Sequence, residues 1–235
     1  MIDPAALRAR LNGVRDRIAR AAGRAGRDPA SVRLVAASKT FSVGHIRALA
    51  DAGQADFGEN KVQEALEKMR DTADLPLRWH LVGHLQSNKA RKAAARFDVI
   101  HSVDDSALVA SLDEGARADG RRIDLLVQVD LAGEATKHGA APGEVTVILA
   151  AAAACRAAAI TGLMTLPPAA DDPALVRPYF ARLRRLRDEL LSGGAEPSTL
   201  RDLSMGMSHD FEVAVEEGAT LVRVGSAIFG ERLPA

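Results

Sequence analysis

Short apolar runs and amphipathic stretches alternate along almost the whole chain. Residues 32–37, Val-Arg-Leu-Val-Ala-Ala, make a β-branched apolar run of the kind expected for a strand buried on both faces of a parallel sheet. Helical periodicity follows over 43–52. The pairing then recurs: strand 55–58 with helix 62–69, strand 78–82 with helix 88–95, and strand 99–103 with helix 106–118. Strand 123–129 with helix 143–157, strand 160–164 with helix 174–191 and strand 202–205 with helix 211–217 continue it, and strand 221–224 with a short closing segment ends it. About eight strand–helix units are what a closed (β/α)8 barrel needs. Ahead of them Asp3-Pro4 marks a helix start, and Leu7, Leu11, Val14 and Ile18 keep helical spacing as far as Gly23 to Gly26. The expectation is one α/β domain over 1–235, a single TIM-type (β/α)8 barrel with an extra N-terminal helix, within 1–28, capping it.

In a parallel barrel the chemistry sits on the loops after the carboxyl ends of the strands. The uncommon residues sort to that edge. Lys39 ends the first strand, Gly58-Glu59-Asn60 the second, and His80 lies in the third with Gly83 to Asn88 after it. His101-Ser102 ends the fourth strand, Gln128 and Asp130 the fifth, and Met164-Thr165 the sixth. Ser204-Met205-Gly206-Met207-Ser208 ends the seventh and Arg223-Val224-Gly225-Ser226 the eighth. Lys39 has two readings: an ammonium in solvent beyond a finished strand, or an amine turned into a pocket. In a pocket, burial would lower its pKa and free the lone pair for Schiff-base chemistry.

The last two clusters favour an anion. Barrels often hold phosphate in the loops after strands seven and eight, and these loops carry Ser204, Ser208, Gly225 and Ser226. A phosphate cup facing a strand-end lysine fits either a sugar phosphate in a Schiff-base aldolase or pyridoxal 5′-phosphate (PLP). Arg223, just before the cup, bears on the choice, because PLP sites pair the pyridine nitrogen with an Asp or an Arg.

Six ordered motifs carry a resemblance: Ala37-Ser38-Lys39-Thr40; Phe57-Gly58-Glu59-Asn60 with Gln63-Glu64; Trp79-His80 with Gly83; Leu85-Gln86-Ser87-Asn88-Lys89; Ser204-Met205-Gly206-Met207-Ser208; and Arg223-Val224-Gly225-Ser226-Ala227-Ile228-Phe229-Gly230. From about Val32 to Arg232 the chain closely resembles the pyridoxal phosphate homeostasis proteins, single barrels similar to the N-terminal domain of alanine racemase. The resemblance implies that Lys39 carries PLP as an aldimine and that Asn60 lies beside the ring. It implies that Ser208, Gly225 and Ser226 hold the phosphate with the Met207 backbone, that Arg223 faces the pyridine nitrogen, and that His80 lines the pocket. It further implies a monomer that helps balance PLP and amino acids without robust catalysis, with PLP-dependent apo-enzymes as recipients. The alternative is a racemase-like PLP enzyme. Lys61 and His84 depart from the family pattern, in which an aromatic and a smaller residue or proline are common.

Composition narrows the partners. Net charge is zero, so no long-range field draws nucleic acid, and aromatics at 3% are too few for base stacking beside the arginines of 182–187. The single cysteine, Cys155, excludes an internal disulfide and fits a reducing cytoplasm. The apolar run 145–155 is too short for a membrane span. The histidines show no metal-ligand spacing along the chain, so no metal is expected.

Overall fold

A computed structural model describes residues 2–133 and 138–230. The helix α1 (Pro4–Arg24) starts as expected, with the Asp3 carboxylate accepting from the N–H groups of Ala5 and Ala6 and proline in the first turn. Eight strands then alternate with helices: β1 (Arg33–Ala37), α2 (Val43–Asp51), β2 (Asp56–Glu59), α3 (Val62–Asp71), β3 (Arg78–Leu81), α4 (Ala90–Ala94), β4 (Val99–Val103) and α5 (Ser106–Ala118). The second half continues with β5 (Ile123–Gln128), α6 (Val145–Ala152), β6 (Ala158–Met164), α7 (Arg177–Ser192), β7 (Asp202–Ser204), α8 (Phe211–Glu216), β8 (Leu221–Val224) and α9 (Ser226–Phe229). Every strand pairs parallel with its neighbours, and β8 closes on β1, with Arg33 opposite Leu221 and Ala36 opposite Val224. The expected eight-stranded barrel is the fold. The single-domain reading of 1–235 includes residues 1, 134–137 and 231–235, which lie outside the described residues.

The strand period of two divides the side chains between two cores. Leu34, Ala36, Phe57, Trp79, Leu81, Leu125, Val127, Val222 and Val224 point outward and pack under the helices. Val35, Val99, Leu126, Met164 and Leu221 point inward and fill the barrel. Phe57, Phe97, Phe180 and Phe211 are fully buried, each contributing about 2–3 kcal/mol on removal from water.

The N-terminal helix takes a different place from the one expected. Arg10 near its start donates to the carbonyl of Ile228 in α9, at the carboxyl end of the barrel. Arg24 at its end pairs with Glu216, and Arg27 just beyond donates to the carbonyls of Val215 and Ala219, at the opposite end. The helix therefore runs antiparallel to the strands, against α2, α8 and α9, in the outer ring. It does not cap an end. After β8 the chain supplies only the four-residue α9, so α1 covers the strand face left bare there, with Leu7, Leu11, Val14 and Ile18 as its buried stripe. Among the described residues, no helix is long and apolar enough to cross a membrane.

Candidate functional site

A cavity of about 620 Å³ opens at the carboxyl end of the barrel. Inward-facing positions reach it by the strand period: Ala37 and Lys39 from β1, Asn60 after β2, Val82 and His84 after β3, Gln128 and Asp130 from β5, Leu166 after β6, and Arg223 and Gly225 from β8. Met207, Ser208 and Ser226 complete one wall. The structure thus brings together Lys39, Asn60, Met207, Ser208, Arg223, Gly225 and Ser226. It excludes His80 from this lining. His80 lies one layer deeper in the barrel, fully buried, and Val82, two residues on, occupies the mouth instead.

The backbone on either side of Lys39 is fixed by buried charge. The Ser38 hydroxyl donates to Glu59 Oε1 at 2.6 Å, and the Ser38 carbonyl accepts from Lys68 Nζ at 2.8 Å. Lys68 Nζ also lies 2.7 Å from both Glu59 Oε1 and Glu64 Oε1, with Lys68 only 8% and Glu59 0% exposed. The Thr40 N–H donates to Glu64 Oε1 at 2.7 Å. Thr40 has φ of 71°, a left-handed conformation that a β-branched residue rarely adopts and that costs on the order of 1–3 kcal/mol. Strain held by charge on both flanks turns the chain sharply at Lys39 and aims its side chain at the cavity. Burial pushes the Glu59 carboxyl up, against the hydrogen bonds from Lys68 and Ser38. Glu59 Oε2 has no hydrogen-bond partner among the described residues.

Arg223 heads a buried chain of hydrogen bonds. Its Nη1 donates to Ser204 Oγ, and its Nη2 donates to the Thr165 carbonyl at 3.0 Å. Ser204 Oγ lies 2.8 Å from His101 Nδ1, His101 Nε2 lies 2.9 Å from His80 Nδ1, and His80 Nε2 lies 2.8 Å from Asp56 Oδ1. The Asp56 carboxylate can only accept, so a neutral His80 carries its proton on Nε2 and offers Nδ1 as an acceptor, which orders the row back to the Ser204 hydroxyl. His101 then carries its proton on Nε2 and donates to His80 Nδ1, and His80 donates from Nε2 to Asp56. Every bond in the chain points from the cavity toward the barrel floor, and both histidines are neutral. Burial lowers both, His101 well below the usual histidine range, with the charges of Arg78 and Arg33 adding to it. Burial works to raise Asp56, but the His80 hydrogen bond and the arginines around it hold it below the usual carboxylate range. Burial pushes the Arg223 guanidinium down to about 10, which leaves it charged at neutral pH.

This chain predicts an acid-sensitive fold. A histidine whose folded pKa lies below its unfolded value of about 6.5 stabilises fully above that value, and its contribution is lost as pH falls below it. Urea midpoints are expected to drop between pH 7 and 5. His101→Gln should lose stability at pH 7 yet show a shallower slope, by up to about 1.4 kcal/mol per pH unit. Coincident slopes would mean that His101 is protonated in the fold and that the bond directions are wrong.

The opposite wall presents the hydroxyls of Ser208 and Ser226, with one change from expectation. The Met207 N–H donates to Asp210 Oδ1 at 2.6 Å, so it is already engaged and does not face the cavity as a spare donor. Ser208 Oγ accepts from the N–H groups of Gly225 and Ala227 at 3.0 and 3.3 Å, which leaves the hydroxyl its own proton to donate. Gly206 makes the turn possible: its φ is 93°, and a Cβ there would sit 2.6 Å from that of Ala214. On the other side Gly83 lets the loop after β3 pass over Asn60, since a Cβ would lie 2.4 Å from the Asn60 carbonyl oxygen.

The structure also adds residues to the site. Leu166, His138 and His209 line the cavity, and Gln128 Nε2 donates to the His138 carbonyl at 2.6 Å. Lys68 buttresses Lys39 from nine residues beyond Glu59, a link that no local spacing signals.

The alanine racemase N-terminal domain family matches residues 2–233. A pyridoxal phosphate homeostasis protein of Aquifex aeolicus is 43% identical over 223 residues, 95% of this chain and 97% of the relative. Its counterpart in Pseudomonas aeruginosa is 44% identical over 216 residues, 92% of this chain and 91% of the relative. The chain belongs to the pyridoxal phosphate homeostasis proteins, within the alanine racemase N-terminal domain family. Among solved members of this family, PipY of Synechococcus elongatus with PLP bound superposes with a TM-score of 0.84 at 41% identity, covering 95% of this chain and all (100%) of PipY. The likeness extends in fold alone to alanine racemase of Corynebacterium glutamicum, at a TM-score of 0.74 and 19% identity over 98% of this chain and 62% of the racemase.

Proposed function

We propose that this chain binds PLP covalently through Lys39 Nζ and serves to hold and release it within the cytoplasm, as a monomer that supplies PLP-dependent apo-enzymes and turns over no substrate robustly. The observation that carries the reading is the placement of an amine, a buried guanidinium and two hydroxyls around one cavity: Lys39, Arg223, Ser208 and Ser226. The donor set suits the cofactor, and about 620 Å³ is room for it. Lys39 would make the covalent link, and Asn60 would lie beside the ring. Ser208, Ser226 and the backbone after Gly225, whose own N–H is donated to Ser208, would hold the phosphate, and Arg223 would face the pyridine nitrogen.

When bound, PLP supplies an electron sink whose strength depends on protonation of its ring nitrogen. Arg223 is held in place by Ser204 and Thr165 and stays charged, so it opposes a second positive charge beside it. That weakens the sink and supports storage over transamination or decarboxylation. Tyr179, the one tyrosine of the chain, packs against the hydrophobic core, which supports a structural role for it over proton transfer opposite Lys39. A racemase-like activity would require such a donor, and His209, which lines the cavity, is the candidate the site offers for it.

Retention tests the reading. Ser226→Ala and Arg223→Ala are each expected to weaken PLP binding about 10- to 100-fold, the loss for one hydrogen bond to a charged group, with the barrel still folded. Unchanged PLP dissociation in both would remove the anion wall and the ring partner. Cofactor-dependent exchange of an amino acid's α-hydrogen in the parent protein would replace storage with the racemase-like alternative.

A further inference from the structure

Three loops meet beside the cavity mouth and bring together His84, Asp104 and His138, which no spacing along the chain connects. His84 follows β3, Asp104 follows β4, and His138 precedes the bridge between Val129 and Ala140 after β5. One ligand atom from each lies within 4.8 Å of the other two. The imidazoles of His84 and His138 stack with centroids 3.4 Å apart and planes 6° from parallel. Asp104 is half-buried beside them. We propose that His84, Asp104 and His138 form a binding site for a divalent transition-metal ion of the zinc class.

The chemistry selects the ion. Two imidazoles and one carboxylate suit Zn²⁺, Co²⁺ or Ni²⁺ and disfavour Mg²⁺ and Ca²⁺, which take oxygen ligands. Three protein ligands are the usual set for a zinc ion that keeps a further position open. His84 and His138 both line the cavity, so that position is within reach of a ligand there. The backbone is set for it. Gln128 Nε2 holds the His138 carbonyl, and the Asp130 N–H and Gln128 carbonyl pair with the Ala140 carbonyl and N–H. Metal ligands in a tetrahedral site stand about 3.3 Å apart, from metal–nitrogen distances of about 2.0–2.1 Å. Both rings are exposed, so side-chain rotation brings them from their stacked pose to that separation. An ion there would tie the loop after β5 to the loops after β3 and β4 and brace the mouth of the cavity.

The test uses full-length, tag-free protein without PLP, titrated with Co²⁺ and followed by its visible d–d absorption, then with Zn²⁺ in competition. One Co²⁺ per chain is expected. His84→Ala and His138→Ala should each bind at least about tenfold more weakly, because losing even an outer-shell partner of a metal site costs that much. Asp104→Asn should also weaken binding. His45→Ala should bind like the parent, and so should Lys39→Ala, which keeps this result separate from the cofactor reading. Absence of saturable binding in the parent, or equal affinity in parent and both His84→Ala and His138→Ala, overturns the site and leaves two imidazoles stacked on each other.

Discussion

Protein saturated with PLP is expected to absorb in the visible, and Lys39→Ala is expected to lose that band completely. The geometry asks for this all-or-none outcome. Lys39 is the lysine of the cavity wall, and its neighbours on both sides are locked by Glu59, Lys68 and Glu64, so a displaced backbone cannot bring another amine to the same point. The phosphate contacts proposed for Ser208 and Ser226 do not involve the amine, so the variant should still bind PLP, more weakly and without the band. Borohydride reduction followed by peptide mass mapping checks the link directly. A band that survives in Lys39→Ala would move the link to another amine. A parent with no band would end the PLP reading and return the anion wall to a sugar phosphate.

The largest stability effect should come from Lys68→Met. Its ammonium is the sole cation within hydrogen-bond distance of Glu59 among the described residues, and Glu59 is wholly buried. Removing one member of a buried ion pair costs about 3–5 kcal/mol, because the partner charge is left without compensation. The pH dependence identifies the mechanism. Without the ammonium, Glu59 folds better as the neutral acid, and its folded pKa rises further above the unfolded value of about 4.3. A raised carboxyl stabilises most below its unfolded pKa and loses that contribution as pH rises through the folded one. The deficit of Lys68→Met in urea unfolding should therefore be small near pH 5 and grow toward pH 8. A deficit constant across this range would show that Lys68 acts through packing alone. The same variant should loosen PLP retention, since the Ser38 carbonyl loses its donor and Glu64, which holds the Thr40 N–H, loses its cation.

Much of this molecule was legible as residues in order. Short apolar runs separated by stretches of helical period specify a barrel, and the barrel assigns its carboxyl edge to function, which is why Lys39, Arg223 and Ser208 stand out in the sequence. Four features were not legible. The place of α1 depends on the shortness of α9, a gap in the ring visible only once the ring is closed. The family resemblance implies a pocket role for His80, but one step of the strand period puts it in the layer beneath. The grouping of His84, Asp104 and His138 arises from three separate loops, and such proximity has no local periodicity. The engagement of the Met207 N–H by Asp210 is a turn contact three residues away, and nothing in the motif distinguishes it from a free donor.

The one-way order of bonds from Arg223 to Asp56 makes the barrel interior an insulator for protons. Passing a proton along such a row requires each member to turn round afterwards and offer its lone pair where it had offered hydrogen. The first member is a guanidinium, which has no lone pair to offer, so the row cannot reset. This row therefore offers no proton path between the barrel floor, where Asp56 is partly exposed, and the cavity above. A proton exchanged with a molecule in the cavity does not pass along this row.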